Sequence, residues 1–208
     1  HVIRELGTRA DPRVDRITVD GKPLKLQTAL HYVAFNKPVG VVTTLTDPEG
    51  RPCVGDVIAA LKHSLHPVGR LDYHTSGLLL LTNDGELTAR LTHARYGVPK
   101  TYAAKLDRSP TAEQLARLRG GVKIEQGPAA RARVRSTRTA DGKGWVTVTI
   151  YEGRNRQVRR MFEELGLRVE KLRRVAIGPL SLGSLPTGAT RKLLTEEVTL
   201  LRRAAGLE

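Results

Sequence analysis

The chain has 208 residues, enough for one ordinary domain with a small appendage and for a core that needs no cross-link. Its single cysteine, Cys53, excludes an internal disulfide framework and fits a reducing cytoplasm, the expected location. An excess of 35 Lys and Arg over 21 Asp and Glu gives a net charge of +14 and a pI near 10.5, which favours a polyanionic partner, nucleic acid before membrane.

Residues 1–24 are charged and rich in turns, with Asp11-Pro12, Asp15-Arg16 and Asp20-Gly21 around short β-type pieces such as Ile17-Thr18-Val19. The chain opens on His1 in mid-pattern and is expected to continue upstream. From His31 the texture changes. Tyr32–Phe35 and Val41–Thr44 read as strands joined by the turn Asn36-Lys37-Pro38-Val39-Gly40. The run Leu78–Leu81 is too short for a membrane span and too uniform for a surface element, so it reads as an interior strand. Asp84 then caps a helix starting near Glu86, with Leu87 and Leu91 on one face. Lys100–Leu106 reads as a strand, and Ser109-Pro110 as the opening of a helix with Pro at its first position, ended by Gly120-Gly121.

Arg131, Arg133 and Arg135 alternate at period two, which reads as a solvated basic face of a strand. Trp145–Tyr151 is a strand by its β-branched and aromatic content. A helix is expected to begin near Asn155, where Val158, Met161, Phe162 and Leu165 recur at helical spacing before Gly166. A strand over Val169–Ile177 carries Lys171, Arg173 and Arg174, and a last helix covers Thr195–Ala205. Strands and helices mix without βαβ regularity, so the class is α+β with a mixed, largely antiparallel sheet.

Several chemistries are absent as motifs. The six His and one Cys lack the spacing of a zinc site, and there is no phosphate-binding loop, dinucleotide fingerprint or nucleophile elbow. The low aromatic content, 4%, argues against broad single-strand binding by stacking platforms. No basic amphipathic helix with an aromatic face suggests a membrane surface.

What remains is an ionisable loop, Gly69-Arg70-Leu71-Asp72-Tyr73-His74-Thr75-Ser76-Gly77, set against the buried leucine strand, and an arginine-dense helix start. Asp72 and Arg70 either pair with each other and with solvent or belong to a site, since loops on rigid strands often carry catalytic groups. Arg159 lies about 100° round the helix from Val158, on the flank of the apolar stripe, where a guanidinium needs an anionic partner, carboxylate or phosphate.

These residues resemble the RsuA/RluB family of ribosomal RNA pseudouridine synthases. The resemblance rests on Phe35–Gly40, the stretch from Gly69 to Gly85, Lys100-Thr101-Tyr102, Glu152–Met161, and Arg174–Leu182 with Leu185-Pro186-x-Gly188-x-x-Arg191. They stand in family order across nearly all of residues 30–198. Asp84-Gly85 and Lys100-Thr101-Tyr102 look most like the large-subunit branch. The resemblance implies a catalytic domain over residues 29–208 with a central cleft, and an S4-type RNA-binding remnant plus linker over residues 1–28. It implies isomerisation of uridine to pseudouridine in ribosomal RNA, most closely 23S, by a monomer without metal or cofactor. Asp72 would be the essential carboxylate, Arg159 its partner, and Tyr102 the residue stacked on the flipped base. Arg70, Lys37, Arg154, Arg156, Lys171, Arg173 and Arg174 would contact RNA. The basic surface alone would equally suit a non-catalytic rRNA-binding or ribosome-assembly factor, and small-subunit rRNA is the alternative substrate.

Overall fold

The computed structural model describes residues 2–4, 8, 10–11, 14–23, 29–124, 127–128, 132–138 and 144–208. Arg131, one of the three alternating arginines, lies outside the described residues. The chain divides into two compact units, His1–Leu30 and His31–Glu208. In the first, β1 (Thr18–Val19) and β2 (Lys22–Pro23) form a hairpin turned by Asp20 and Gly21 at φ 51° and 75°. Two successive positive φ angles match the twist of a tight hairpin, which explains the Asp-Gly pair.

The second unit opens with β3 (Tyr32–Lys37), α1 (Val54–Leu61), β4 (His66–Pro67), β5 (Thr75–Thr82) and α2 (Gly85–Thr92). It continues through β6 (Lys100–Leu106), α3 (Ala112–Gly120), the pair β7 (Lys123–Ile124) and β8 (Gly127–Pro128), β9 (Arg133–Arg138) and β10 (Gly144–Ile150). It closes with α4 (Gln157–Glu163), β11 (Val169–Ile177), β12 (Leu180–Ser181), β13 (Thr190–Lys192) and α5 (Thr195–Ala204). The main sheet runs β13-β3-β5-β11-β6-β10-β9, with β4 beside β5 and β12 beside β11. Its pairings are antiparallel except β5 with β11. This is the expected α+β class with a mixed, largely antiparallel sheet.

The leucine run shows why the sheet centre is apolar on both faces. Leu79 and Leu81 join a core with Val33, Phe35 and residues of α1, α3 and α4. Leu78 and Leu80 join a second core with Leu87 and Leu91 of α2 and Leu201 of α5. Each leucine is fully buried, contributing about 1.5–3 kcal/mol. Two covered faces require an unbroken apolar run. Asp84 ties this second face together: it accepts from the Leu87 amide at the start of α2, from the Tyr32 hydroxyl and from Arg202 of α5. The Asp84-Gly85 pair is therefore architectural.

Three local expectations are corrected. Val41–Thr44 is not a strand; Val42 makes a single bridge to Cys53. Both edges of β3 are already occupied, by β13 and β5, so the β-branched run has no open ladder to join. Pro110 is not the first residue of α3, because Thr111 and Gln114 form a reciprocal capping box that starts the helix at Ala112. The helix expected near Asn155 begins at Gln157, after Arg156 adopts a left-handed φ of 50°. The turn before it is held by the Arg154 amide donating to the Gln157 side chain.

Candidate active site

Four main-chain clamps hold the loop that carries Asp72. The Thr43 hydroxyl donates to the Leu71 carbonyl and accepts from the Leu71 amide. The Thr75 amide donates to the Asp72 carbonyl, and the Gly40 amide to the Tyr73 carbonyl. Arg159 donates to the His74 carbonyl at 2.8 Å. Two segments distant in sequence, residues 40–43 and Arg159, together with Thr75 thus grip consecutive residues of one loop, and none of these bonds uses the Asp72 carboxylate. Among the described residues that carboxylate has no ion pair within 4.0 Å, so Arg70, which is exposed, is not its partner.

The parallel pairing of β5 with β11 brings the loop to the second half of the sheet. Thr75, Ser76 and Gly77 lie opposite Leu172, Arg173 and Arg174. Gly77 has φ 108°, and a Cβ there would stand 2.2 Å from the Arg174 carbonyl oxygen, so only glycine permits this approach. On the far edge of β11, Arg174 faces Tyr102 of β6 directly. A cleft of about 240 Å³ opens between these elements, lined among others by Arg70, Asp72, Tyr102, Arg154, Arg156 and Arg174.

The expected site residues therefore divide. Asp72 and Tyr102 meet in the cleft although 30 positions separate them. Arg70 and Arg156 are exposed at its rim, and Arg154 is half-buried there with its guanidinium 3.2 Å from Glu152. Arg174 is buried at the floor, and its Nε donates to the Leu78 carbonyl. Exposed Lys171 and half-buried Arg173 are not among the residues lining the cleft.

Two placements correct the sequence reading. Lys37 is not a surface contact for RNA: it is fully buried, and its ammonium donates to the Pro38 and Val41 carbonyls at 2.8 and 2.7 Å. Arg159 is buried behind the loop instead of facing the cleft. Its direct partners are not a carboxylate or phosphate but the Val169 and His74 carbonyls.

Both cations nevertheless feel Asp72. Burial pushes the Lys37 ammonium down to about 8, and the Asp72 charge opposes that fall. Burial, then neighbouring Arg156, push Arg159 below its ordinary value, against the pull of Asp72 and Glu163. The Asp72 carboxylate, with no ion pair among the described residues, thus acts on two buried cations across the wall of the cleft.

The sequence reading missed Lys100 as part of the cleft. It lines the cleft and is 8% exposed, yet its ammonium has no hydrogen-bond acceptor. One signal could have found it. Lys100, Tyr102, Ala104 and Leu106 share the inward parity of β6, so a lysine stands where the strand otherwise buries uncharged side chains. Among the described residues, no group of three or more His, Cys, Asp or Glu is placed to hold a metal ion, and no helix is long and apolar enough to cross a membrane.

Comparison with known proteins agrees with this geometry. The family model described as RNA pseudouridylate synthase matches residues 31–164. An uncharacterized RNA pseudouridine synthase of Mycobacterium tuberculosis is 45% identical over 211 residues, covering 100% of this chain and 83% of its own. The ribosomal large subunit pseudouridine synthase B of Bacillus subtilis is 41% identical, covering 98% and 84%. A crystal structure of a pseudouridylate synthase superposes with a TM-score of 0.75 at 32% identity, over 93% of this chain and 83% of that one. Human RNA pseudouridylate synthase domain containing 1, at 16% identity and a TM-score of 0.53, shares the fold over 83% of this chain and 91% of its own. The chain belongs to the RsuA/RluB family of RNA pseudouridine synthases, isomerases that convert uridine to pseudouridine in RNA.

Proposed function

We propose that this synthase modifies a uridine of 23S ribosomal RNA and that Asp72 is its essential carboxylate. The observation that carries the reading is the unpaired Asp72 side chain in the cleft beside Tyr102, on a loop whose main chain is clamped at four successive residues. The large-subunit assignment is supported by relatives named ribosomal large subunit pseudouridine synthase B in Bacillus subtilis and Pseudomonas aeruginosa. In this reading residues 1–28 are the end of an S4-type RNA-binding domain with a linker, residues 29–208 form the catalytic domain, and the protein works in the cytoplasm as a monomer.

The uridine must first leave its stack, at a cost of a few kcal/mol. Tyr102 offers the flipped base a ring to stack on, and Arg70 stands at the rim beside the gap the base leaves. Arg154 and Arg156 at the rim, with Lys171 and Arg173 beyond it, attract the phosphates. Asp72 then acts by one of two routes. Its carboxylate adds to C1′ while the C1′–N1 electron pair departs with the uracil, or it removes the C2′ proton and leaves a glycal. In both, the uracil anion turns in place and C5 bonds to C1′, as the Asp72–C1′ ester bond breaks in the first route or as the protonated Asp72 returns its proton to C2′ of the glycal in the second; the C5 proton is then lost and N1 is protonated. Arg159 acts through the loop as a positioning residue, fixing His74 and lending its charge to the Asp72 site.

The test is release of tritium from 5-tritiated rRNA transcripts. Asp72→Asn should bind 23S rRNA as the wild type does and release no tritium above background. Undiminished release by that variant would refute the role of Asp72. Retained RNA binding with no release by the wild type would favour an assembly factor, and release from 16S rRNA alone would move the substrate to the small subunit.

A further inference from the structure

Lys100 and Arg174 are an unusual pair. Both line the cleft, and they are only 8% and 5% exposed. Among the described residues, the Lys100 Nζ and the Arg174 Nη2 are buried donors with no acceptor, and no carboxylate pairs with either. A buried polar group without a partner is costly, and a buried charge more so. Two such donors together do not persist as packing. They are stored capacity for a ligand that brings acceptors with it.

The sheet aims them at one place. Lys100 lies two residues before Tyr102 on β6 and therefore on the same face. Arg174 is directly opposite Tyr102 on β11, and opposed residues of an antiparallel pair share a face. A register shift in β11 falls between Arg174 and Ala176, next to the stretch that pairs with Lys100. Bulges of this kind re-aim side chains beside active sites. Arg174 is anchored through Nε to the Leu78 carbonyl, so its outer fork is held in position.

From this geometry we infer that Lys100 and Arg174 form a binding subsite for the uracil ring itself, donating hydrogen bonds to its carbonyl oxygens and stabilising the ring anion that exists once the C1′–N1 bond has broken. A nucleotide that enters base first puts its ring on the cleft floor and leaves its phosphates at the rim, where Arg70 and Arg156 are exposed. When the C1′–N1 bond breaks, its electron pair stays on the uracil and spreads from N1 onto the ring oxygens. The same pair forms the new bond when C5 attacks C1′, so Lys100 and Arg174 donate hydrogen bonds throughout and transfer no proton. The ring carries a full negative charge only after cleavage, so the two cations hold it more tightly then than they hold the neutral base. That difference is what lowers a barrier. Burial, then Arg174, push the unliganded Lys100 ammonium down to about 8, so it is still charged near neutral pH.

The inference rests on the proposed reaction at Asp72, and the experiment separates the two. Lys100→Met and Lys100→Gln, with Asp72→Asn as reference, are tested on 5-tritiated 23S rRNA by single-turnover release, RNA affinity and thermal unfolding. The expected result is a rate at saturating RNA lowered by about 10²-fold, the scale of one lost oxyanion donor. RNA affinity should stay within about twofold and Tm at or above that of the wild type, because an uncompensated buried charge has been removed. A wild-type rate with RNA affinity weakened tenfold would show that the pair grips a phosphate and overturn the inference. An unchanged rate and affinity would overturn it too, as would a rate that falls only in step with Tm in both variants. Tritium release by Asp72→Asn would instead refute the reading on which it rests.

Discussion

Lys37 and Lys100 are buried lysines in one sheet, and burial lowers both ammonium groups to about 8. They differ in what surrounds the charge. Lys37 ends among the carbonyls of its own turn, at Pro38 and Val41, with the Asp72 charge adding support. Lys100 ends in the cleft with no acceptor, and its one charged influence is another cation, Arg174. Depth and proton affinity are alike, yet one lysine is a strut and the other is held ready for a ligand. Acceptor supply separates a structural buried charge from a functional one.

Substitutions test whether the two lysines differ in this way. The largest effect belongs to the reference point: Asp72→Asn should reduce tritium release by more than about 10³-fold, the scale seen when an essential catalytic group is removed. Next comes Lys100→Met, with its rate loss at undiminished stability. Arg159→Ala sits between the two lysines in character, since its two carbonyl partners are satisfied but its Nε is not. It should lower turnover about tenfold or more and destabilise the fold by about 1–3 kcal/mol, because two carbonyls are left unpaired. Arg160→Ala, on the same helix but without those bonds, should remain close to wild type in both. Equal and mild effects of the two would remove Arg159 from the site.

Lys37→Met should do the reverse of Lys100→Met. Urea unfolding should show a loss of about 1–3 kcal/mol as the Pro38 and Val41 carbonyls lose their donor, with RNA affinity unchanged. Weaker RNA binding at wild-type stability would return Lys37 to the surface role its sequence position suggested.

The smallest effect is in pH. Both lysines have folded values near 8, below the unfolded value of about 10.4, so between these limits the unfolded chain holds more protons. Their contribution to stability therefore rises with pH over that window, and either Met variant should flatten the rise. Activity should move oppositely, because Lys100 must be charged to hold the ring anion. The groups facing it are Arg174 on β11 and the apolar Ile150 and Ile177. Wild-type turnover should fall above about pH 8, and this limb should be missing in Lys100→Met.

Much of the fold could be read locally. The β6 and β11 boundaries follow alternation and β-branched content, and the leucine run announced a strand covered on both sides. These features depend on neighbours within a few residues, and side-chain periodicity encodes them. Val41–Thr44 misled for the opposite reason: its composition suits a strand, but whether a strand forms depends on a free edge elsewhere in the sheet.

The site divides along the same line. Local pattern alone was enough to show that an ionisable loop stands against a buried strand, that Arg159 lies on the edge of an apolar stripe, and that separated motifs follow a family order. What each charge touches followed from the packing of distant elements. That packing turned Lys37 inward onto two carbonyls, set Arg159 behind the loop, and left Lys100 and Arg174 with unmet donors beside Tyr102. Periodicity records which way a side chain points. Whether it finds an acceptor there depends on which distant carbonyls and carboxylates the packed sheet brings within 3 Å, and no local pattern carries that information.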